Sequence, residues 1–248
     1  MIESRVVNFM GVRMNAWTMA ETVEEIFCRI RYGIFTQHVV VNVAKLVNMG
    51  RDATLRESVE SCDIINIDGM GVVWGAKFLG LAVPERVAGF DLFHELLQRA
   101  ALEGESVFLL GARQEIVERA AARLEQRFTG LKIAGIHHGY FWDDEEAVVE
   151  KIAGSGAGML FVAISSPKKE NFINRWKDRL GVKFVMGVGG TFDIVAGKSK
   201  RAPLLMQKCG LEWLYRLLQE PGRMWKRYLY TNTVFALKLL RARIFGLF

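Results

Sequence analysis

Asp68 has the type and setting with the most chemical potential in this chain. It follows the apolar run Ile64-Ile65-Asn66-Ile67 and precedes Gly69 and Gly71, at the end of a buried-strand candidate with little steric cover. A carboxylate in that position serves as a general base once partial burial lifts its pKa toward neutrality. It can equally cap a helix by accepting the amides of the first turn, and the residues alone leave both readings open. Two glycine-rich stretches follow other apolar runs: Gly111 after Phe108-Leu109-Leu110, and Gly187-Val188-Gly189-Gly190 after Lys183-Phe184-Val185. Glycine permits close backbone approach to a phosphate, and a following helix N-terminus adds amides and a positive dipole end. Neither stretch completes the G-x-G-x-x-G fingerprint, and no Walker loop occurs, so tight turns remain the alternative.

Several chemistries are not expected. No Asp-x-Asp pair follows a strand to hold a cation on a diphosphate, and no G-x-S-x-G elbow is present. His137 and His138 are adjacent, so within a strand their side chains face opposite ways and a shared metal site is not expected. The cysteines Cys28, Cys62 and Cys209 are widely spaced and odd in number, which suits free thiols in a reducing compartment. The expected reaction needs neither metal, cofactor nor covalent nucleophile.

Alternating elements must position these groups. Apolar runs at 38–43, 63–67, 106–110, 131–136, 159–164 and 183–188 read as strands. Helical patterns lie between them, including one from Ala44 to about Ser61 and one opened by Asp143-Asp144-Glu145-Glu146. Strands alternating with helices imply an α/β, Rossmann-like, mostly parallel sheet with helices on both faces. In such a sheet, ligands bind beyond the carboxyl ends of the strands. Asn42, Asp68, Gly111, Tyr140, Ser165-Ser166-Pro167 and Gly189 to Asp193 all fall there.

At 248 residues and 51% hydrophobic, the chain suits one globular α/β domain with an appendage: a catalytic domain over 1–197 and a helical appendage over 198–248. The net charge of +6 divides unevenly. Residues 198–248 hold eleven Lys/Arg against two acids, and the preceding 197 residues hold 22 against 25. The appendage is therefore basic and points to an anionic partner. Glu220-Pro221-Gly222 separates two helical stretches, Leu204–Gln219 and Arg223–Ile244. In the second, Trp225, Tyr228, Leu229, Ala236, Leu239 and Leu240 share a face opposite most of the cations, as an amphipathic membrane-surface helix does. A helix docked on its own domain with a solvated charged face gives the same pattern. Met1 to Arg5 lacks the basic-then-apolar opening of a signal peptide, and no stretch reaches the ~20 apolar residues of a spanning helix. The expectation is a cytoplasmic protein.

These residues resemble the bacterial WecG/TagA/CpsF glycosyltransferase family. The resemblance rests on ordered blocks over about residues 38–230: Asp68-Gly69-Met70-Gly71-Val72-Val73-Trp74, Pro84 to Leu92, Phe108 to Gly111, His137 to Phe141, Pro167-Lys168-Lys169-Glu170, Gly187 to Asp193, Arg201-Ala202-Pro203 and Gly210 to Leu217. It implies an inverting, metal-independent transfer from a UDP-sugar, of the N-acetylmannosamine type or a related hexose or uronate. The acceptor is a polyprenyl-diphosphate-linked glycan, in cell-surface polysaccharide synthesis such as teichoic acid or exopolysaccharide. It implies Asp68 as base with Asn42 and Arg86 in the same pocket. UDP would lie against Gly111, Tyr140, Gly189, Gly190 and Asp193, and Arg216, Arg223 and Arg227 would lie near the acceptor's diphosphate. The protein would be peripheral on the cytoplasmic face of the bacterial inner membrane, on an anionic surface.

The chain departs from the family pattern twice. Val40 stands where the family usually has threonine, and Lys169 replaces a glutamine. Lys169 is expected to line the substrate pocket, meeting a carboxylate on an acidic donor or a phosphate. A catalytically inactive homologue that binds nucleotide at the membrane surface is the alternative function. A nucleic-acid partner is not expected, because the tail presents the Trp225/Tyr228/Leu229 face and carries no known binding motif. The oligomeric state, a homo-oligomer included, is left open.

Overall fold

The computed structural model describes residues 5–246, with the backbone alone at Arg223. In chain order the elements are β1 (Val6–Phe9), β2 (Val12–Asn15), α1 (Met19–Arg31), β3 (Thr36–Val41), α2 (Val43–Met49), α3 (Ala53–Glu60), β4 (Ile64–Ile67), α4 (Met70–Phe78), α5 (Gly89–Glu103) and β5 (Ser106–Gly111). Then follow α6 (Gln114–Arg127), β6 (Lys132–His137), α7 (Glu145–Gly154), β7 (Met159–Ala163), α8 (Lys168–Trp176), β8 (Phe184–Gly187), α9 (Thr191–Val195), α10 (Leu204–Lys208), α11 (Glu212–Gln219) and α12 (Pro221–Phe245).

The strands form one sheet in the order β1-β2-β4-β3-β8-β7-β5-β6. Every pairing is parallel except that of β1 with β2. The apolar runs are nearly continuous because both faces of the sheet are covered, as parallel sheets require. Alternate residues feed opposite layers. Leu109, Phe161 and Phe184 join Phe27, Phe93, Leu96 and Phe192 on one side. Val39, Val41, Ile65 and Ile67 pack on the other with Val47, Val59, Val72 and Phe235. Phe108, Leu110, Leu160, Val162 and Val185 meet Val149, Ile152 and Phe172 beside them.

The connections create two crevices. The chain leaves β3 toward β4 on one side, whereas β8 is reached from β7 on the other. Likewise β5 leads outward to β6, while β7 leads back to β8. At both points the loops part to opposite faces of the sheet, the geometry that opens a ligand crevice at the strands' carboxyl ends.

Three local features differ from the sequence reading. The β1–β2 hairpin carries no long apolar run; Met10 and Gly11, with φ of 54° and 77°, form its turn. The stretch Ala44–Ser61 is two helices, because Asp52 accepts the Leu55 amide at 2.9 Å and starts α3 afresh. The stretch Leu204–Gln219 is also two, broken at Gly210 (φ +70°), where a side chain would collide with Met70 and Trp74.

The last helix splits the apolar face expected of it. Met224, Thr231, Phe235 and Ala242 are buried, and Phe235 and Ala242 join the α2/α4 core. Gly75 of α4 allows this approach, since a Cβ there would stand 3.0 Å from Phe235 and 3.1 Å from Phe9. Tyr228 and Leu239 are half-buried, while Trp225, Leu229, Tyr230, Leu237, Leu240, Ile244 and Phe245 stay exposed. Among the described residues no helix is long and apolar enough to cross a membrane.

Candidate active site at the carboxyl edge of the sheet

The residues singled out in the sequence stand along one rim. Asn42 follows β3, Asp68 follows β4, Gly111 ends β5, Tyr140 lies beyond β6, and Gly189 and Gly190 follow β8. The β3–β4 register, with Val41 opposite Ile67, brings Asn42 and Asp68 out side by side. The Asp68 amide donates to the Val41 carbonyl at 2.8 Å, extending the ladder one step past the strand.

Asp68 does not cap the next helix. Gly69, at φ 97°, occupies the cap position of α4, and no side chain bonds there. The half-buried carboxylate has no hydrogen bond or ion pair among the described residues. Burial pushes its pKa up; the nearby charges of Arg86, Arg216 and Lys45 oppose this, Glu212 reinforces it, and the net shift is upward. Asn42 caps α2, its Oδ1 accepting the Lys45 amide at 3.0 Å. Arg86 reaches the rim because the Val87 amide donates to the Ile67 carbonyl at 2.9 Å, pinning the 81–88 loop beside β4. Its guanidinium pairs with Glu212 of α11.

A buried ion cluster lies beside β3 and β8. Glu170 binds Lys45 at 2.8 Å and Lys169 at 2.9 Å, all three nearly enclosed. The Lys169 stem lies over Gly187, where a Cβ would stand 2.7 Å from its Cε. Burial, with Lys45 adding to it, lowers Lys169 to about 8. Glu170 falls to about 2 because the two ammonium groups outweigh the opposing effect of burial. Lys169 is therefore held by Glu170 rather than projecting freely, and the trio carries a net charge of +1 when all three ionise.

The other crevice is made by backbone. Gly111 (φ 132°) lies against the Ala163 backbone where any side chain would collide. Ala112 adopts φ 57°, its amide donating to the Ala163 carbonyl at 3.1 Å and its carbonyl accepting from Gly139 at 2.8 Å. Tyr140 is 67% exposed beside this junction. Asp193 pairs with Lys198 at 2.9 Å, and Thr191 donates to the Val188 carbonyl at 2.7 Å, closing the turn that carries Gly189 and Gly190. His137 and His138 do not face opposite ways, because β6 ends at His137; their rings lie 4.4 Å apart. Among the described residues no three His, Cys, Asp or Glu side chains converge as metal ligands.

The basic tail reaches this rim. Arg201 forms a two-point ion pair with Asp91 at 2.5 and 2.7 Å, lies over the Phe90 ring at 4.5 Å and approaches Glu212 at 3.5 Å. Arg216 is exposed yet close enough to act on Asp68, as Arg227 is on Lys169. The Arg223 side chain lies outside the described residues. Sequence reasoning gave no role to Glu212, Asp91, Arg201, Lys45 or Glu170. For Glu212, Asp91 and Arg201 the signal was a charge beside an aromatic or small residue within the blocks of the resemblance, in Phe90-Asp91, Arg201-Ala202 and Glu212-Trp213; Lys45 and Glu170 carried none there.

Comparison with known proteins gives two findings. The model of the glycosyl transferase WecG/TagA/CpsF family matches residues 7–247. An N-acetylglucosaminyldiphosphoundecaprenol N-acetyl-beta-D-mannosaminyltransferase of Bacillus spizizenii is 40% identical over 171 residues, 69% of this chain. That match spans 66% of the relative's length, just under two thirds.

Proposed function

Since the chain belongs to the WecG/TagA/CpsF glycosyl transferase family, we propose that it moves an N-acetylmannosamine-type sugar, or a related hexose or uronate, from a UDP-sugar to a polyprenyl-diphosphate-linked acceptor. The observation that carries this reading is Asp68: an unpaired carboxylate, raised by burial, at a strand end beside Arg86. Asp68 takes the proton of the acceptor hydroxyl as that oxygen attacks the anomeric carbon from the face opposite UDP. The new glycosidic bond forms while the bond to the UDP oxygen breaks, which inverts the anomeric configuration. Asn42 orients the reacting hydroxyl, and Arg86 meets the developing diphosphate charge.

The rim supports a division of labour. Gly111, Tyr140, Gly189, Gly190 and Asp193 hold UDP at the β5–β7–β8 end, with the acceptor at the β3–β4 end near Asp68. The net positive Lys45–Glu170–Lys169 cluster lies between them, so Lys169 adds attraction for a phosphate or for a carboxylate on the donor. No metal enters the reading, because arginines at the rim can meet the diphosphate charge. Arg216, Arg223 and Arg227 bind the acceptor's diphosphate. The exposed Trp225, Leu229, Leu240 and Ile244 among tail cations favour peripheral attachment to an anionic membrane, at the cytoplasmic face where nucleotide sugars are made.

The test is UDP release with a panel of UDP-sugars and a lipid-diphosphate-linked N-acetylglucosamine acceptor, in EDTA, followed by NMR of the product anomer. Acceptor-dependent release with inversion is expected. Retention of configuration, or a requirement for added divalent metal, would overturn the corresponding part of the reading.

A further inference from the structure

Glu212 links the tail to the rim through Arg86 and, through Arg201, to the α5 N-terminus. Its two carboxylate oxygens are divided: one pairs with Arg86, the other faces Arg201 at 3.5 Å. Arg201 is itself anchored twice by Asp91 and lies on the Phe90 ring. The Arg86 and Glu212 side chains are both mostly buried, so the contact is sheltered from solvent. Among the described residues, four charged groups act on the Asp68 carboxylate: Arg86 from the 81–88 loop, Glu212 and Arg216 from α11, and Lys45 from α2. Arg86 is the strongest attraction among them, yet it does not pair with Asp68, since its guanidinium is held by Glu212.

We propose that Glu212 is a positioning residue that keeps the base available: by binding Arg86 and Arg201 together, it docks α11 on the rim and withholds the Arg86 guanidinium from Asp68. An arginine left without Glu212 would turn to the adjacent carboxylate, and a carboxylate in a two-point pair with a guanidinium is a poor proton acceptor. The same contact brings Arg216, one turn along α11, to the rim. The inference rests on Asp68 as the base.

The experiment is the pH profile of kcat/KM for wild type, Glu212→Gln and Glu212→Asp, with UDP affinity and vesicle binding measured on each. Glu212→Gln is expected to lose roughly tenfold or more in kcat/KM, and its acidic limb moves to lower pH because freed Arg86 stabilises ionised Asp68. Glu212→Asp, which keeps the charge, is expected to recover activity and return the limb toward the wild-type position. A Glu212→Gln profile with its limb unmoved, or a loss traced wholly to weaker vesicle binding, overturns the proposal. If Glu212→Gln fails to fold, Arg201→Gln replaces it: Glu212 then still holds Arg86, so an unmoved limb is expected and a limb at lower pH overturns the proposal. Retained turnover in Asp68→Asn would remove the base reading itself, a result distinct from any of these.

Discussion

The backbone amide of Asp68 donates to the carbonyl of Val41 at 2.8 Å, one residue past the last paired positions of β3 and β4. That bond fixes where the carboxylate leaves the sheet: beside Asn42, above no helix cap and within the field of Arg86. It also makes the carboxylate costly to the fold, because a carboxylate with a raised pKa is less well accommodated as its charged form than it is in the unfolded chain. The folded state holds its proton more tightly, so this group's contribution to stability declines as pH rises through the window between unfolded and folded pKa. Asp68→Asn is accordingly expected to raise the melting temperature at pH 7. A lower melting temperature would contradict the assigned burial.

His38 acts in the opposite sense. Its ring is fully enclosed, with Nε2–H donating to Asn66 Oδ1 at 2.9 Å, and burial lowers its pKa from 6.5 to about 4. The unfolded chain takes up the proton first as pH falls, so the stability due to neutral His38 is complete above pH ~6.5 and is lost progressively toward pH 4. The effect is of order 3 kcal/mol. Urea unfolding between pH 7 and 4 is expected to show this slope, and His38→Gln is expected to flatten it.

Glu170 holds two buried ammonium groups, so removing its charge leaves both uncompensated. Glu170→Gln is expected to destabilise the fold by about 3 kcal/mol or more, read as a fall in denaturation midpoint. Lys169→Gln leaves the Lys45 pair in place and is expected to cost far less stability. In kinetics it is expected to weaken turnover of a UDP-uronate more than of a neutral UDP-sugar; equal effects on both would remove Lys169 from donor recognition.

The last helix offers a separation of docking from membrane contact. Phe235 is packed against Gly75 and Phe9, and Phe235→Ala is expected to destabilise by about 3 kcal/mol. Leu229→Glu and Ile244→Glu alter exposed positions and are expected to leave the melting temperature unchanged while reducing sedimentation with anionic vesicles. Vesicle binding unchanged in both variants would remove the membrane role from this helix.

The fold was legible because the central parallel strands β3, β4, β5, β7 and β8 are almost wholly buried and their apolar runs ended where polar or glycine residues began. Asp68, Asn42 and Gly111 were legible for the same reason, since the rim is defined by strand ends. The β1–β2 hairpin was not, because four-residue strands with a turn at Met10-Gly11 leave almost no periodic signal. Glu212 and Asp91 were not either. Their contacts, Glu212 of α11 with Arg86 of the 81–88 loop and Asp91 of α5 with Arg201, join segments more than 100 residues apart in the chain. The α12 face was misjudged in part, because helical spacing identifies apolar stripes without saying which one the domain covers; Phe235 and Ala242 were taken inward, and Trp225 and Leu229 were left outside.

The most direct test of the central claim is acceptor-dependent UDP release by wild type and Asp68→Asn, with UDP binding measured calorimetrically on both. Loss of at least about a hundredfold in turnover, with UDP affinity nearly unchanged, is the predicted result for a general base. Turnover by Asp68→Asn within a few-fold of wild type would contradict the assignment of Asp68 as the base.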